Sequence, residues 1–549
     1  MQRTPTTTGS RAKPKASTAT EERSAPPPEA FPEIPQPRLS GVDPLEASYR
    51  ALFAAFDDDG SGDLTRQELV ARLKNAGILE DDPRMRETLA AAQKGDQEKG
   101  LLFEEFVSLI QNSSGLVRRV AEESLVVPDF ASFCTEIDQL YAELLTDTRG
   151  AVADYIPQLA RVDPDQFAIA VCTVDGQRHV VGDASSKFCV QSVSKAVSYC
   201  LALEEHGPDV VHQHIGREPS GVSFNSLTLN KSGRPHNPMI NAGAIMSCSL
   251  IKPKDNLADR FDHVSDTWKR LAGGRPVGFH NSVYLSERDT ADRNFALGYS
   301  MREQHAFPAG TDLVQTLEFY FQSCSVELDA EMMAIAAATF ADGGICPLTG
   351  DKVFNTQTVQ HCLSLMSSCG MYDFSGEFAF TIGLPAKSGV SGALMVVVPG
   401  LMGICVWSPR LGNTVRGIEF CRKLVERYNV HPHDAAESES GKRDIRRRKN
   451  QTSVESVAIL CWAAAHGDLH AIKVLAAAGA DLSTANYDGR TPLHLAATEG
   501  QAVVVKYLLA QGVPADSKDR WGGTPLSDAQ TRGHSEVVAM LRTKSTAAV

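Results

Sequence analysis

A pattern that recurs every 33 residues near the C-terminus limits the possible folds of this chain more than any other feature. The unit that begins Thr491-Pro-Leu-His494 recurs 33 positions later as Thr524-Pro-Leu526, and a degenerate unit begins 33 positions earlier at Ala458. A period of this length indicates stacked helix pairs, each of which buries its apolar face only against its neighbours. Residues 453–545 are therefore expected to form a short, all-α solenoid.

The period and the Thr-Pro-Leu-His wording resemble ankyrin repeats. Three units are close to the smallest stable stack, so we expect this region to dock on the main domain or to self-associate. Ankyrin units also suggest a protein partner, although the repeat pattern does not identify it.

Composition excludes several classes of function for the whole chain. Of its 549 residues, 42% are hydrophobic and 22% are charged, and no apolar run is long enough to cross a bilayer. The net charge of −13 argues against nucleic acid as a partner. The twelve cysteines include no Cys-x-x-Cys pair, which predicts reduced, buried thiols and neither a disulfide framework nor a zinc site.

Shifts in composition divide the chain into six segments. The first is rich in Pro, Thr, Ser and Ala, and it carries four basic residues before its first acid, Glu21. That pattern fits either a disordered tail or an organelle transit segment. The predicted segments are a tail or transit segment (1–44), a helical domain (45–112), a linker (113–130), the main domain (131–432), a charged linker (433–452) and the repeats (453–545). The charged linker is interpreted as solvated, in preference to a nuclear-import or nucleic-acid signal.

Residues Asp57–Glu68 match the twelve-residue calcium loop of EF-hand proteins. A calcium ion needs six or more oxygen ligands, and this loop offers them in a single wrap, with Gly62 at the sharp turn. The alternative is an acidic helix–turn–helix that binds no metal. The expected calcium ligands are Asp57, Asp59, Ser61, Asp63 (through its carbonyl) and Glu68 (bidentate), with Thr65 at the water-bridging position.

A partner hand is expected near residues 93–105, because EF-hands pair. Its loop contains Lys94, Gly95, Gln97 and Lys99, which cannot supply the required oxygens. We therefore predict a paired-hand domain with one calcium site, and calcium as a regulatory ligand.

A Ser-x-x-Lys motif opens an amphipathic helical stretch in the main domain. Ser192 and Lys195 are three residues apart, so they lie on one face of a helix, one turn apart. Burial favours the neutral form of a lysine, which can then accept the proton of a serine nucleophile. A position near a helix N-terminus also stabilises the negative charge that develops during attack.

By itself this spacing is weak evidence, because it recurs at Ser10–Lys13 and at Ser249–Lys252. Its order along the chain is more informative: Lys387-Ser-Gly-Val390 follows and leads into the apolar run Ala393–Val398. Penicillin-binding proteins and β-lactamases share this arrangement, with Ser-x-x-Lys on a helix and Lys-Ser-Gly on the adjacent strand. The backbone N–H groups of Ser192 and Val390 are then expected to form an oxyanion hole. The predicted fold class is α/β (α+β), a serine β-lactamase-like catalytic domain flanked by an EF-hand pair and an ankyrin solenoid.

Longer motifs across residues 130–430 resemble the glutaminase family, and the animal-type members are the most similar. The flanking helical domain and the ankyrin units extend the same resemblance. The motifs are Tyr155-Ile-Pro-Gln-Leu-Ala160, Val171-Cys-Thr-Val-Asp-Gly-Gln-Arg178, His236-Asn-Pro-Met-Ile-Asn241-Ala-Gly-Ala244, Ser286-Glu287-Arg-Asp289 with Arg293-Asn294-Phe-Ala296, and Cys369-Gly-Met-Tyr372-Asp-Phe-Ser-Gly376.

The resemblance implies hydrolysis of L-glutamine to L-glutamate and ammonia through an acyl-enzyme. Ser192 would attack the side-chain amide, Lys195 would take its proton, and Tyr372 and Tyr155 would assist catalysis. Glu287 would pair with the substrate ammonium group. The remaining substrate contacts implied by the resemblance are Gln191, Ser192, Asn241, Asn294, Tyr320, Tyr372, Tyr155 and Val390.

The resemblance also implies a homotetramer or higher assembly and a mitochondrial location, the alternative being the cytoplasm. No catalytic cofactor is expected, and phosphate or another anion is the implied activator. Ser226 stands where animal members are expected to carry a lysine, which puts simple phosphate activation in doubt. The complete calcium loop is a second departure from the animal enzymes.

Other interpretations of these residues stay open at this point. A lone tyrosine is usually a half-buried aromatic, an asparagine is often a turn residue, and Glu287 could be a helix-cap acid. Two other functions are a penicillin-binding or β-lactamase-like acyl-serine hydrolase and an inactive calcium-binding ankyrin scaffold. Ammonia release from glutamine, compared with turnover of a chromogenic β-lactam, separates the three.

Overall fold

The computed structural model describes residues 46, 49–50, 52–53, 56, 64–94, 100–221, 226–434, 442–446, 449–477 and 480–545. The chain divides into two compact units, residues 1–49 and 50–549, and the elements below belong to the second. The predicted tail or transit segment and the predicted ligands Asp57, Asp59, Ser61 and Asp63 lie outside the described residues, as do Gly95, Gln97 and Lys99.

Two short strands join two helix pairs in the N-terminal region. The strands are β1 (Leu64–Thr65) and β2 (Gly100–Leu101), and they pair antiparallel with Leu64 opposite Leu101. The helices are α1 (Arg66–Asn75), α2 (Arg86–Gln93), α3 (Phe103–Ile110) and α4 (Ser114–Ala121). Helix α4 lies within the segment predicted to be a linker, and its Val117 and Val120 are buried.

Helix α1 begins with a capping box that involves the last residue of the calcium-type loop. The Thr65 hydroxyl accepts from the Glu68 N–H, and Glu68 Oε2 accepts from the Thr65 N–H at 2.7 Å. This reciprocal pair satisfies two N–H groups that a helix start otherwise leaves without acceptors.

A charged cluster joins the connection between α1 and α2 to the main domain. The Arg178 guanidinium is fully buried and donates to Asp81 at 2.6 Å and to Glu331 at 2.7 Å. Arg275 bridges the same two carboxylates. Burial raises the pKa of Asp81, but the two guanidinium groups outweigh it and lower the pKa to about 2. A buried cation that holds two acids makes this interface sensitive to loss of the arginine.

An antiparallel five-stranded sheet forms the centre of the main domain, in the order β4-β3-β10-β9-β8. The strands are β3 (Ala168–Thr173), β4 (Arg178–Gly182), β8 (Ala386–Ser388), β9 (Ala393–Val398) and β10 (Met402–Trp407). Both faces of β3, β9 and β10 are buried, which explains why they read as continuous apolar runs.

Helices cover both faces of this sheet. On one face lies α13 (Ala330–Ala341), which packs closely because a side chain at Gly403 would meet the Ala338 backbone nitrogen at 2.0 Å. On the other face lie α5 (Phe130–Leu145) and α16 (Arg416–Arg427). The predicted β-lactamase-like fold class is thereby confirmed in its layout of a sheet between helices.

The remaining elements of the main domain form a mainly helical lobe beside the sheet. A small three-stranded sheet of order β5-β7-β6 accompanies them: β5 (Phe188–Cys189), β6 (Gly278–Phe279) and β7 (Val326–Leu328). The helices are α6 (Pro157–Ala160), α7 (Ser194–His214), α8 (Asn241–Leu250), α9 (Leu257–Leu271), α10 (Asn281–Asp289), α11 (Asp292–Glu303), α12 (Leu313–Cys324), α14 (Thr356–Cys369) and α15 (Ser375–Thr381).

The described part of the predicted charged linker packs on the main domain. Arg443 forms an ion pair with Glu136 and a backbone bridge with Tyr428, and Ile445 is buried in the cluster beneath α16. The expectation of a solvated segment is therefore wrong for residues 442–446. The many basic residues of this segment predicted a solvated chain, but Ile445 is buried and Arg443 is paired with Glu136.

Three helix pairs follow, as the 33-residue period predicts. They are α17 (Lys449–His466) with α18 (Leu469–Ala477), α19 (Pro492–Thr498) with α20 (Ala502–Ala510), and α21 (Pro525–Arg532) with α22 (Ser535–Ser545). The Thr-Pro-Leu sequence recurs at the start of α19 and α21 because its threonine caps the helix in both units. Thr491 caps α19, and the His494 ring contacts both Thr491 and the Gly523 carbonyl of the next unit.

Among the described residues, no helix has the length and apolar character needed to cross a membrane.

Replacing Arg178 by Met should destabilise the folded protein by about 1.5–3 kcal/mol, because the change removes the buried one of the two guanidinium groups that Asp81 and Glu331 share, together with its charged hydrogen bonds. The matched control is Lys187→Met, which removes a half-exposed cation 2.7 Å from Asp329 and should lower stability by less than about 1 kcal/mol. Denaturant unfolding measures both. Equal effects of the two changes would contradict a structural role for the buried cluster.

Candidate active site

The predicted nucleophile lies on a tight turn at the start of a buried helix. Residues Gln191–Val193 form a 3-10 turn that leads directly into α7, and Gln191 has a positive φ of 47°. The Lys195 Nζ lies 2.5 Å from the Ser192 Oγ, and Lys195 is 1% exposed. The predicted nucleophile and base are therefore in contact across one helical turn, and the lysine is shielded from bulk water.

The Lys-Ser-Gly motif lies on β8, next to this turn. A side chain at Gly389 would come within 2.9 Å of the Val190 carbonyl oxygen, so glycine permits the close approach of the two segments. Val390 follows and lines the cavity in front of Ser192. The motif order predicted from the sequence thus corresponds to physical contact between strand and turn.

Tyr372 lies between two buried lysines. The Lys387 Nζ is 4.0 Å from the centre of the Tyr372 ring, and the Lys195 Nζ is 5.9 Å from it. Burial opposes ionisation of the phenol, but the charges of Lys195 and Lys387 and the hydrogen bonds with Ser192 and Lys387 prevail and lower its pKa to about 8. Burial lowers the pKa of Lys387 to about 8 as well, although Tyr372 opposes this shift.

Lys387 was not among the residues predicted for the site. From the sequence it served only as part of a strand motif, and its contact with Tyr372 is a finding of the structure. The signal that could have identified it is a lysine on a short strand directly before the apolar run Ala393–Val398, because a charged side chain that is buried at such a position requires a partner.

A half-buried carboxylate lines the same cavity. Glu287 lies on α10, and its Oε1 accepts from the Tyr155 hydroxyl and from the Gln191 Nε2 at 3.1 Å. Burial raises the pKa of Glu287, while these two hydrogen bonds and the Lys195 charge lower it in part. A positively charged group of a substrate would stabilise the ionised form of this carboxylate, which burial disfavours.

Two amides and a phenol lie beside this carboxylate. The Asn241 Nδ2 donates to the Asn294 Oδ1 at 3.2 Å, and the Tyr320 hydroxyl donates to the Asn241 Oδ1 at 3.4 Å. Asn241 begins α8, while Asn294 and Tyr320 belong to α11 and α12. Three helices therefore bring neutral polar groups to one wall, which suits recognition of a substrate carboxylate or amide.

A cavity of about 620 Å³ holds these groups together. Nearly all of the catalytic and substrate residues predicted from the sequence line it, and Lys195 lies buried behind Ser192. The lining residues from the prediction are Tyr155, Gln191, Ser192, Asn241, Glu287, Asn294, Tyr320, Tyr372 and Val390. Glu68, the described member of the predicted calcium set, is not among them.

Within the part of the chain that the structure describes, no three His, Cys, Asp or Glu side chains are grouped to hold a metal ion. All twelve cysteines are free thiols, and eleven of them are buried.

Comparison with known proteins shows which family combines these features. The glutaminase family model matches residues 150–433, an EF-hand domain model matches 49–128, and an ankyrin model matches 460–548. The chain belongs to the glutaminase family. Its predicted membership, with EF-hand and ankyrin regions, is confirmed.

Individual relatives cover different parts of this glutaminase-family chain. The mitochondrial liver isoform of glutaminase from Mus musculus is 43% identical over 446 residues, 80% of this chain and 74% of the relative. A glutaminase from Trichormus variabilis is 43% identical over 312 residues, 56% of this chain and 92% of the relative.

Solved structures agree with the fold. The probable glutaminase ybaS superposes with a TM-score of 0.53 at 34% identity, covering 55% of this chain and 98% of that one. The protein Mglu, in its native form at 4.3 M NaCl, superposes with a TM-score of 0.53 at 29% identity, covering 69% of this chain and 96% of that one.

One tyrosine of the native protein should ionise near pH 8. The cations of Lys195 and Lys387 favour the tyrosinate of Tyr372, whereas burial raises the pKa of Tyr155 and Tyr320. Ultraviolet difference absorbance during a pH titration measures this ionisation. Tyr372→Phe should remove the transition, and Lys387→Met should move it to higher pH because one cation is lost.

Lys187→Met, which removes a distant surface cation, is the control and should leave the midpoint unchanged. A transition near pH 8 that persists in Tyr372→Phe would show that another tyrosine is responsible.

Proposed function

We propose that this chain hydrolyses L-glutamine to L-glutamate and ammonia through an acyl-enzyme on Ser192, with Lys195 as the base. The observation that carries the proposal is the 2.5 Å approach of Lys195 Nζ to Ser192 Oγ, in a cavity that is also lined by the half-buried carboxylate of Glu287. Membership of the glutaminase family supports the same substrate.

Substrate binding follows from the charges on the cavity wall. The α-ammonium group of glutamine would pair with Glu287, whose two hydrogen-bond donors, Tyr155 and Gln191, hold the carboxylate in place. The α-carboxylate would take the amide and phenol donors of Asn241, Asn294 and Tyr320. When the amino-acid end is bound on this wall, the side-chain amide would point to Ser192. Binding would thereby hold the amide in the orientation needed for attack.

Acylation begins when Lys195, acting as the base, takes the proton of Ser192 and Oγ attacks the amide carbon. The tetrahedral intermediate places its negative oxygen between the N–H groups of Ser192 and Val390, which are fixed before the reaction starts. The C–N bond then breaks, and the departing nitrogen takes a proton to leave as ammonia. The product of this half-reaction is an ester between Ser192 and the glutamyl side chain.

Tyr372 suits the transfer of that proton. Its hydroxyl is hydrogen-bonded with Ser192 and Lys387, and its pKa near 8 lies close to neutral pH, where a general acid and base is most effective. Lys387 supplies the positive charge that keeps the phenol acidic. In deacylation water attacks the ester, its proton passes to the same network, and glutamate leaves with the Ser192 hydroxyl restored.

A β-lactamase-like activity would use the same serine and both lysines. It gives no role to the carboxylate of Glu287 or to its donors Tyr155 and Gln191, which together form a site for a substrate cation. The family relatives are glutaminases as well. Both facts favour the zwitterionic amino-acid amide over a lactam, and the intact catalytic contact argues against an inactive scaffold.

Several properties beyond the reaction are part of the proposal. We infer a mitochondrial location, which is supported by the similarity to the mitochondrial isoform from Mus musculus. The segment boundaries predicted in the sequence analysis are also part of the proposal. A homotetramer or higher assembly, a protein partner at the ankyrin repeats and activation by an anion remain predictions drawn from the family resemblance.

Calcium regulation is supported by the matched EF-hand domain and by the pairing of β1 with β2, which joins the two hands. Glu68 would supply the bidentate ligand at the end of the loop. Its Oε2 already accepts from Thr65, so metal binding and the helix cap of α1 would involve the same carboxylate.

Changing Ser192 to Ala should lower turnover at least about 10³-fold, because no other group can form the acyl-enzyme. Glutamine should still bind, since the carboxylate and amide wall is unchanged. Ammonia release measures turnover, and calorimetry measures glutamine binding. Ser198→Ala, at a buried position one turn beyond Lys195 on α7, is the control. Turnover that survives in Ser192→Ala would exclude the proposed nucleophile.

Calorimetry should detect one calcium ion per chain, and Glu68→Gln should abolish or strongly weaken that binding. Glutamine can replace glutamate in a capping box, so the start of α1 should survive the change while the bidentate carboxylate is lost. Glu98→Gln, in the second loop, should leave the binding unchanged. Two calcium ions per chain, or equal affinity in Glu68→Gln, would contradict the single-site assignment.

A further inference from the structure

A buried tryptophan holds the turn that carries Val390, although the mechanism proposed above gives it no role. Four residues, Gly389 to Gly392, connect β8 to β9, and the N–H of the last donates to the carbonyl of the first at 3.0 Å. The Trp407 Nε1 donates to the Ser391 carbonyl of this turn at 3.0 Å. Trp407 is the last residue of β10 and is 2% exposed. The turn is therefore fixed by its own closing bond and by a side chain from another strand.

The strand register brings this indole to the turn. Trp407 pairs with Ala393, the first residue of β9, and on its other side with Ala168 of β3. Side chains of directly opposed residues lie on the same face of a sheet, about 5 Å apart. Two small alanine side chains therefore flank the indole and leave it room beside the sheet. Because Ala393 directly follows the turn, position 407 is the place on β10 from which a side chain reaches the turn most directly.

The same indole also contacts the segment that leads to the nucleophile. The Phe188 and Trp407 rings are stacked, with centroids 5.2 Å apart and planes inclined by 19°. Phe188 lies on β5, four residues before Ser192, and is 5% exposed. The indole thus contacts both segments whose N–H groups are proposed to form the oxyanion hole, since one carries Ser192 and the other carries Val390.

A second tryptophan of the main domain shows that burial alone does not require such a bond. Trp268, on α9, is 0% exposed and belongs to the same hydrophobic cluster as Trp407. Within the described residues the Trp268 Nε1 has no hydrogen-bond partner. The bond from Trp407 to the Ser391 carbonyl is therefore a specific feature of the turn, and it is not a general consequence of placing an indole in this core.

We propose that Trp407 is a positioning residue for the oxyanion hole. Its N–H fixes the turn of Val390, and its stacking on Phe188 keeps that turn in register with the segment of Ser192. Oxyanion-hole donors are effective because they are oriented before negative charge develops, so a mobile turn would lower turnover without weakening substrate binding. Trp407 does not line the cavity, and it acts only through the backbone of the turn. This role rests on the proposed function.

Trp407→Phe tests the role by kinetics. The phenyl ring can still stack on Phe188, but the donor to the Ser391 carbonyl is lost. The kcat for ammonia release from glutamine should fall about tenfold, which is less than the loss of about 10²- to 10³-fold expected when an oxyanion-hole donor is removed outright. KM should change less than about twofold, because the groups that bind the amino-acid end are unchanged. The pH profile of kcat should keep its shape, since Lys195 and Tyr372 keep their contacts.

Trp268→Phe is the matched control, because it makes the same change in ring size at a buried indole whose N–H has no partner. Its kcat should stay within about twofold of the wild type. Hydrogen exchange of the full chain, followed by mass spectrometry, gives a readout that does not need activity. The Gly389 N–H donates to the Ala393 carbonyl at 2.8 Å, so it is protected while the turn is closed. Exchange in residues 389–393 should become faster in Trp407→Phe and stay unchanged in Trp268→Phe.

Faster exchange confined to the turn, together with a lower kcat at constant KM, would support the proposal. An equal kcat in Trp407→Phe and Trp268→Phe would overturn it. Faster exchange throughout the main domain would overturn it as well, because Trp407 would then be a core residue without a specific role. A wild type that releases no ammonia from glutamine would refute the proposed function and this role with it, whereas an active wild type beside a fully active Trp407→Phe would refute this role alone.

Discussion

The catalytic arrangement depends on the burial of two lysines on either side of one phenol. Lys195 and Lys387 are 1% and 0% exposed, so both have lost most of their hydration. Two unpaired ammonium groups at such positions would disfavour folding strongly. Tyr372 resolves the conflict because it can carry negative charge between them, and the Ser388 carbonyl accepts from Lys387 at 2.8 Å. The phenol that offsets the cost of burying the two lysines is therefore the same group that the proposed mechanism uses for proton transfer.

Two residues next to Ser192, one before it in sequence and one in contact with it, have strained backbones. Gln191 and Tyr372 have positive φ values of 47° and 55°, in a region that non-glycine residues seldom adopt. Each costs about 1–3 kcal/mol and persists only where the surroundings enforce it. Here the enforcement comes from the close contact of Gly389 with the turn and from the hydrogen bond of Gln191 to Glu287. The strain holds the serine and the phenol at one point before substrate arrives.

How much the sequence predicts depends on the range of the interaction. The 33-residue period predicts the helix pairs, because each pair is a local unit with its own cap. The Ser192–Lys195 spacing is local too, yet it recurs at Ser249–Lys252 inside the protein, so spacing alone does not identify a dyad. The family resemblance predicted nine positions of one site from separate segments of the chain, and all nine line the same cavity.

Contacts between distant segments were beyond prediction. Arg178 reaches Asp81 across 97 positions, and Arg443 reaches Glu136 across 307. From the sequence alone a charged residue is predicted to be exposed to solvent, because the partner that pairs with it is far away along the chain and is identified only by the fold. The same limit explains why residues 442–446 were expected to be a free linker, and why Lys387 was not recognised as a member of the site.

The groups proposed to react with the substrate and the groups proposed to bind its amino-acid end lie on different elements of the fold. In the proposed mechanism the groups that act at the amide carbon are Ser192, Lys195 and Lys387, which lie on the turn before α7, on α7 and on β8. The helical lobe carries Glu287 and Asn241, which in the same proposal contact the amino-acid end of the substrate, remote from the reaction. Binding energy gained at that remote end is used to orient the amide, so a substrate without an α-ammonium group should lose turnover as well as affinity. The proposed mechanism therefore assigns specificity for the amino-acid end of glutamine to the helical lobe, and reactivity to the sheet and the turn that carries Ser192.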